Sequence, residues 1–351
     1  MTSNNKLFGI LVPVISVIIG LLAGAVIMLL SGHNPIEGYA ALWAGAFGDA
    51  YTIGETIRRS TPLILTGLAV AFAFKSGLFN IGAEGQVIVG WLAAVWVGLA
   101  MDAPMIIHLP LAILAGAVAG GIWGGFLPGF LKAKLGVHEV IITIMMNYIA
   151  LFVTNEIIRS VLTDQATSTE AIAGTASLAS PWLQSITFYS RMHYGILIAL
   201  FAAFVMWFII ERTTYGYELK AVGYNRHASN YSGMNVSKNI ILSMVIGGAF
   251  AGLAGAMEGL GTYGSISVMS GFTNLGFDGI AVALLGSNNA LGVVLAGLLF
   301  GVLKEGAGGE MPTGAGVPTE LVDIIIALII FFVASSYIIR WVLLRFKKEE
   351  K

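Results

Sequence analysis

Residues 7–30 read Leu7-Phe8-Gly9-Ile10-Leu11-Val12-Pro13-Val14-Ile15-Ser16-Val17-Ile18, then Ile19-Gly20-Leu21-Leu22-Ala23-Gly24-Ala25-Val26-Ile27-Met28-Leu29-Leu30, without one charged side chain. At about 1.5 Å per residue, such a run is long enough to cross a hydrocarbon core of about 30 Å. A secretory signal has a shorter apolar region of about 7–15 residues. The stretch therefore reads as a retained first membrane helix, although Ala23-Gly24-Ala25 has the small-residue character of a cleavage site.

Working outward, the remainder of the 351 residues has the same character, with 57% hydrophobic and 11% charged residues overall and a mean hydropathy of +0.87. Soluble domains carry about 25% charged residues, so this chain cannot clothe itself for water and takes lipid as its main solvent. The net charge of −1 argues against nucleic acid as a partner, because phosphate binding needs a basic excess. Without cysteine there is no disulfide, thiolate metal site or thiol nucleophile. The length fits a single transmembrane domain over 1–351.

Ten stretches read as spanning: 7–30, 61–75, 82–101, 106–128, 138–158, 193–211, 239–261, 275–287, 290–306 and 320–342. The segment 34–60 is only mildly amphipathic and is expected along one membrane face. The segment 160–192, rich in Thr, Ser and Ala, reads as an exposed external loop. Cytoplasmic loops carry the excess of Lys and Arg. With both termini on one side, 13 of the 18 basic residues fall there, which makes both termini cytoplasmic. Arg58, Arg59, Arg159, Arg191 and Lys304 fall on the other side.

Two spans look too short and glycine-interrupted: Leu63–Phe74, which runs into Lys75-Ser76-Gly77, and the one opening at Gly271-Phe272-Thr273. An internal echo lies beside them. Asn80-Ile81-Gly82-Ala83-Glu84-Gly85 and Asn274-Leu275-Gly276-Phe277-Asp278-Gly279 share the pattern Asn, aliphatic, Gly, any, acid, Gly. They fall between spans two and three and between spans seven and eight, pairs of opposite orientation. Broken helices at matching positions of two inverted halves mark a transport path.

Carboxylates at membrane depth face a protein interior or a water-filled cavity, which makes Glu84 and Asp278 candidates for the path. The competing account is capping, with Asn80 and Asn274 at helix starts and an acid in each first turn. Phe79, Trp91 and Phe277 offer stacking surfaces and Gln86 an amide to an aromatic cargo; ordinary bundle packing is the alternative for each. Asn147 lies mid-span, either on the path or as interhelical glue. Glu258 and Lys304-Glu305 read as relay groups or as local ion pairs.

The internal segment 212–238 reads as two short helices broken at Gly223. Ala221, Gly223, Ala228, Ser229 and Gly233 are small residues among polar ones, and Val222, Tyr224, Tyr231 and Met234 are more apolar than a solvated loop needs. That mixture suits docking into a partner's groove. His33, His108, His138, His193 and His227 show no ligand spacing. No Gly-x-x-x-x-Gly-Lys-[Ser/Thr] cradle and no nucleophile elbow occurs.

Several runs resemble the permease subunits of ATP-binding-cassette importers, in the branch that handles branched-chain amino acids, simple sugars and nucleosides. They are Ser60-Thr61-Pro62-Leu63-Ile64-Leu65-Thr66-Gly67-Leu68, Phe74-Lys75-Ser76-Gly77-Leu78-Phe79 through Asn80-Ile81-Gly82-Ala83-Glu84-Gly85-Gln86, and Val137-His138-Glu139-Val140-Ile141 leading to Met146-Asn147-Tyr148-Ile149-Ala150. Leu219-Lys220-Ala221-Val222-Gly223 to Gly233-Met234-Asn235-Val236 continues the likeness. The run Asn80–Gln86 is closest to bacterial nucleoside permeases; His138 stands where the family pattern has Asn. The resemblance implies an all-α fold of ten spans with an inverted repeat, in a bacterial plasma membrane. It implies no enzyme activity and no cofactor in this chain, with ATP and Mg²⁺ on a separate cytoplasmic ATPase. Residues 213–235 would seat on that ATPase, with Glu218, Lys220, Ala221, Gly223, Asn225, Ala228, Tyr231 and Gly233 in the coupling surface. A second related permease would complete the pair, and a substrate-binding lipoprotein would deliver a nucleoside at loops such as 160–192. The rivals are a permease for sugars or branched-chain amino acids, and a secondary transporter with Glu84, Asp278 or Glu258 carrying protons.

Overall fold

A computed structural model describes residues 3–334. The chain runs through α1 (Ser3–Leu30), α2 (Pro35–Phe47), α3 (Ala50–Lys75), α4 (Ala83–Ala100) and α5 (Met105–Gly120). A π-turn, Gly121–Phe126, leads into α6 (Leu127–Leu135), and α7 (Glu139–Ile157) ends in a second, Ile158–Leu162. Then come α8 (Pro181–Ile186), α9 (Gly195–Arg212), α10 (Thr214–Tyr224), α11 (Arg226–Tyr231) and α12 (Val236–Met257), which ends in a third π-turn, Glu258–Tyr263. The described chain closes with α13 (Leu275–Leu285), α14 (Ala290–Gly314) and α15 (Thr319–Ala334).

Among the described residues, seven helical stretches have the length and apolar composition of a membrane crossing: Ala50–Lys75, Ala83–Ala100, Met105–Leu135, Glu139–Leu162, Gly195–Arg212, Val236–Tyr263 and Ala290–Gly314. Of the other three expected spans, 7–30 lies within α1, 275–287 coincides with the 11-residue α13, and 320–342 begins in α15. The end of the expected span 320–342 and the basic residues Arg340, Arg345, Lys347, Lys348 and Lys351 lie outside the described residues.

One expectation is corrected. The second span is not short: α3 runs for 26 residues through Pro62. Residues 50–60, expected in the surface segment 34–60, therefore belong to α3. Glu55, Arg58 and Arg59 depress the hydropathy there, but Glu55 and Arg58 are buried. A charge held inside protein does not have to face lipid, so the helix continues through them.

By contacts the chain divides into two compact units, residues 1–56 with 301–351, and residues 57–300. In the first, α1 runs against α2 and α15: a Cβ at Gly24 would lie 2.8 Å from both Ile325 Cγ2 and Tyr39 Oη. Asn34 caps α2 by accepting from the Ile36 amide at 3.0 Å, with Pro35 at the first helical position.

In the second unit α4, α5 and α12 meet almost backbone to backbone. A Cβ on Gly90 would strike the Gly252 Cα, and one on Gly252 would strike the Gly116 carbonyl. Lipid supplies no hydrophobic drive between helices, so small residues that let backbones approach carry the association. At one end of this unit the Ser76–Gly77 turn lies against Gly223, and Ser76 Oγ is 2.7 Å from Ser243 Oγ. At the opposite end, 160–192 is a pinned cover rather than a free loop. Its backbone amides donate from Thr169 to Ile266 O (3.0 Å), from Ile172 to Gly264 O (2.8 Å) and from Leu178 to Leu260 O (2.9 Å).

Candidate functional site

The two echo motifs lie against each other. Gly276, at the start of α13, comes so close to Ala83 and Glu84 that a Cβ would overlap their backbone. Glu84 Oε1 accepts from Thr273 Oγ1 (2.7 Å) and the Asn274 amide (2.9 Å), and Oε2 accepts from the Gly276 amide (2.8 Å). The carboxylate of the first motif is thus the N-terminal cap of the helix in the second, where orphan amides and the helix dipole both favour an anion.

Neither Asn80 nor Asn274 caps its own helix through its side chain. Asn80 forms a reciprocal amide pair with Gln86, both bonds 3.0 Å, and accepts from the Gly82 amide at 3.1 Å. Asn147 reaches across from α7, accepting from the Gly85 amide (2.8 Å) and donating to Ile81 O (3.0 Å). Asn80, Glu84, Gln86 and Asn147 are all buried. Asn80, Gln86 and Asn147 shape the turn between α3 and α4, while Glu84 beside them bonds across to the start of α13. Asn274 is exposed at φ 64°, and Asp278 is half-buried in the first turn of α13. Phe79 stacks on Phe74 with centroids 5.2 Å apart, and Phe277 meets Phe272 edge-on at 5.7 Å.

Trp91 belongs to a different place. It lines a cavity of about 380 Å³ with Arg58, Arg59, Arg191, Glu258 and Tyr263. Its indole N–H donates to Ser265 O at 2.9 Å, and its ring stacks on Tyr263 at 5.2 Å and 18°. Thr273, which holds Glu84, is also in the cavity wall. Of the nine residues expected on the path, only Trp91 lines this cavity; Glu84 reaches its wall through Thr273. From sequence, Arg58, Arg59 and Arg191 are only basic residues on one side, and nothing singles out Tyr263. The adjacent pair Arg58-Arg59, just before a long apolar run, was the available signal; the π-turn that presents Tyr263 leaves none. A cavity with stacked rings, guanidinium groups and one carboxylate can hold a planar, polar, uncharged molecule.

The opposite end carries α10 and α11. Thr213 and Asn225 cap them, accepting from the Gly216 amide (3.1 Å) and the Ala228 amide (3.0 Å). The break between the two helices falls at Asn225, not at Gly223 as expected, because the Asn225 side chain closes the next turn while Gly223 stays in the last turn of α10. A Cβ on Gly223 would run into the Lys75 carbonyl and lie 3.1 Å from the Gly77 amide nitrogen. This glycine is needed for an internal contact. Glu218 accepts from Asn239 Nδ2 (2.8 Å), and Lys220 pairs with Glu211 (3.2 Å). Ala221 is half-buried, whereas Ala228 and Gly233 (φ 83°) are exposed. Tyr224 and Tyr231 are 91% and 94% exposed.

Residues 52–334 match the family described as branched-chain amino acid transport system / permease component. The chain belongs to that family. The guanosine ABC transporter permease protein NupP of Bacillus subtilis (strain 168) is 62% identical over 345 residues, 98% of this chain and 99% of its own length. The glucose ABC transporter permease protein TsgB13 of Haloferax volcanii is 35% identical over 332 residues, 92% and 87% of the two lengths. A second guanosine ABC transporter permease protein of Bacillus subtilis, NupQ, is 28% identical over 261 residues, 72% and 80%. No solved structure matches. Family membership places the transport path in this permease component, and among the described residues no cluster of three or more His, Asp or Glu could hold a metal ion.

Proposed function

We propose that this chain is the membrane-spanning subunit of an ATP-driven importer that carries nucleosides, purine nucleosides foremost, into a bacterial cytoplasm. The observation that carries the reading is the 62% identity with the guanosine permease NupP over almost the full length of both chains. The cavity of Trp91, Tyr263 and the arginines fits the reading, since a purine offers a face to stack and edges to hydrogen-bond.

In this reading the chain crosses the membrane ten times as two inverted halves, with both termini cytoplasmic. It performs no covalent chemistry. ATP and Mg²⁺ belong to a cytoplasmic ATPase that grips α10 and α11, where Tyr224 and Tyr231 are ready to be covered. A second permease stands beside this one; Bacillus subtilis has two related proteins, NupP and NupQ, both named for guanosine. A substrate-binding lipoprotein delivers cargo at the 160–192 cover. Movement of the ATPases is passed through the Gly223 contact to α3, and from α3 to the Glu84 clasp and the cavity.

The rival with an observation behind it is sugar transport, from the 35% identity with a glucose permease. Proteoliposomes holding the permease pair, the ATPase and the binding protein separate the readings. Uptake of labelled guanosine that needs ATP supports the proposal. Uptake of glucose or leucine in its place refutes the cargo, and uptake driven by a proton gradient without the ATPase refutes the energy source.

A further inference from the structure

The π-turn at the end of α12 spans Glu258–Tyr263, and both of its end residues line the cavity. In an α-helix residues five apart point about 140° away from each other. The i→i+5 bonding of a π-turn brings them toward one face, and such turns concentrate at functional sites. Here the turn brings a carboxylate and an aromatic ring to the same wall. Glu258 is 5% exposed, its carboxylate accepts from Thr262, and Arg58, Arg59 and Arg191 line the same cavity. The ring is backed by Trp91, which Ser265 O holds in place, yet remains 56% exposed.

From this geometry we infer that the cavity reads the base of its cargo, and that Glu258 selects 6-oxopurine nucleosides over adenosine within the permease itself. The inference rests on the nucleoside reading above. Tyr263 supplies the stacking surface, which is blind to base identity because every base has a π-face. Guanine carries two adjacent donors, N1–H and the N2 amino group, and a carboxylate accepts both. Its O6 and N7 are acceptors, which an arginine satisfies with two parallel N–H bonds. Adenine has an acceptor at N1 and no N2 group, so it would place a lone pair against the Glu258 oxygens. Hypoxanthine keeps N1–H and O6 and lacks the N2 amino group, so inosine ranks between the two. Glu258 exchanges part of its pairing with the arginines for the base and returns to it when the cargo leaves.

The test is equilibrium dialysis of labelled guanosine, inosine and adenosine against the purified full chain in detergent, for the wild type, Glu258→Gln and Tyr263→Leu. The wild type is expected to bind in the order guanosine, inosine, adenosine. Glu258→Gln should weaken guanosine by at least about fivefold, the low end of a lost bidentate pair, and leave adenosine no weaker, since its N1 lone pair no longer meets a carboxylate. Tyr263→Leu, at a half-exposed position that does not threaten the fold, should weaken all three alike and keep their order. Absence of saturable guanosine binding by the wild type overturns the inference. So does an equal loss of guanosine and adenosine in Glu258→Gln, or a change of order in Tyr263→Leu. If the assembled importer moves guanosine while the isolated permease shows no preference among bases, this inference fails and the transport reading stands. If the importer moves no nucleoside, the transport reading fails first.

Discussion

Replacing Glu84 tests the clasp between the two echo motifs most directly. The carboxylate satisfies three donors at the start of α13: Thr273 Oγ1–H and the amides of Asn274 and Gly276. In Glu84→Gln one oxygen remains, so at least one amide meets an NH₂ group instead of an acceptor. A buried donor left without a partner costs about 1–3 kcal/mol, and the bonds that survive lose their charge assistance, a further fraction of about 1 kcal/mol each. The sum is about 2–4 kcal/mol. Glu84→Ala strips all three donors and should cost about 4 kcal/mol or more, in the range reached when a buried network is broken. Detergent-solubilised protein titrated with a denaturing detergent reads these differences, since about 2 kcal/mol changes the folded-to-unfolded ratio about thirtyfold. Glu170→Gln, an exposed carboxylate in the 160–192 cover, is the control and should shift the transition by no more than about 0.5 kcal/mol. Wild-type midpoints for both Glu84 variants would mean that the carboxylate does not hold α13, and the account of how the motifs interlock would be wrong.

Asn274 sits at φ 64°, so Asn274→Gly should preserve transport while Asn274→Leu loses about 1–2 kcal/mol of stability by the same titration. Asn147→Leu should remove two bonds to the 81–85 turn and destabilise by about 2–4 kcal/mol; an unchanged midpoint would show that the turn stands without it. Gly223→Ala should leave the protein inserted but push α10 off the Ser76–Gly77 turn, leaving ATP hydrolysis poorly coupled to uptake. Tyr224→Ala with Tyr231→Ala should change the unfolding midpoint little, because both are more than 90% exposed, and should weaken retention of the ATPase on purification.

The membrane character, the helical stretches and the echo of two distant motifs were legible because lipid demands long apolar runs and a six-residue repeat is visible by inspection; that the two motifs lie against each other was not. Asn147 as glue was one of the two alternatives the sequence left open, and its two bonds to the 81–85 turn fit that one. The start of α3 was not legible. Hydropathy treats Glu55, Arg58 and Arg59 as exposed, and burial by protein reverses their meaning. Nor was the role of Glu84: a carboxylate in a first turn reads as serving its own helix, and only the fold brings Thr273 and Gly276 to it. Gly223 looked like a hinge or a docking face for the same reason, since its neighbour across space, Lys75, is far away in sequence. The cavity escaped because its residues come from α3, α4, the cover and a π-turn, and no window along the chain contains them together.

The meeting of α4, α5 and α12 through Gly90, Gly116 and Gly252 has a genetic consequence. A glycine can mutate only by growing, so every missense change at these three positions enlarges a contact that has no slack. A saturation library selected for uptake should come back nearly empty there, while the exposed Leu111 and Leu114 of α5 accept other apolar side chains freely.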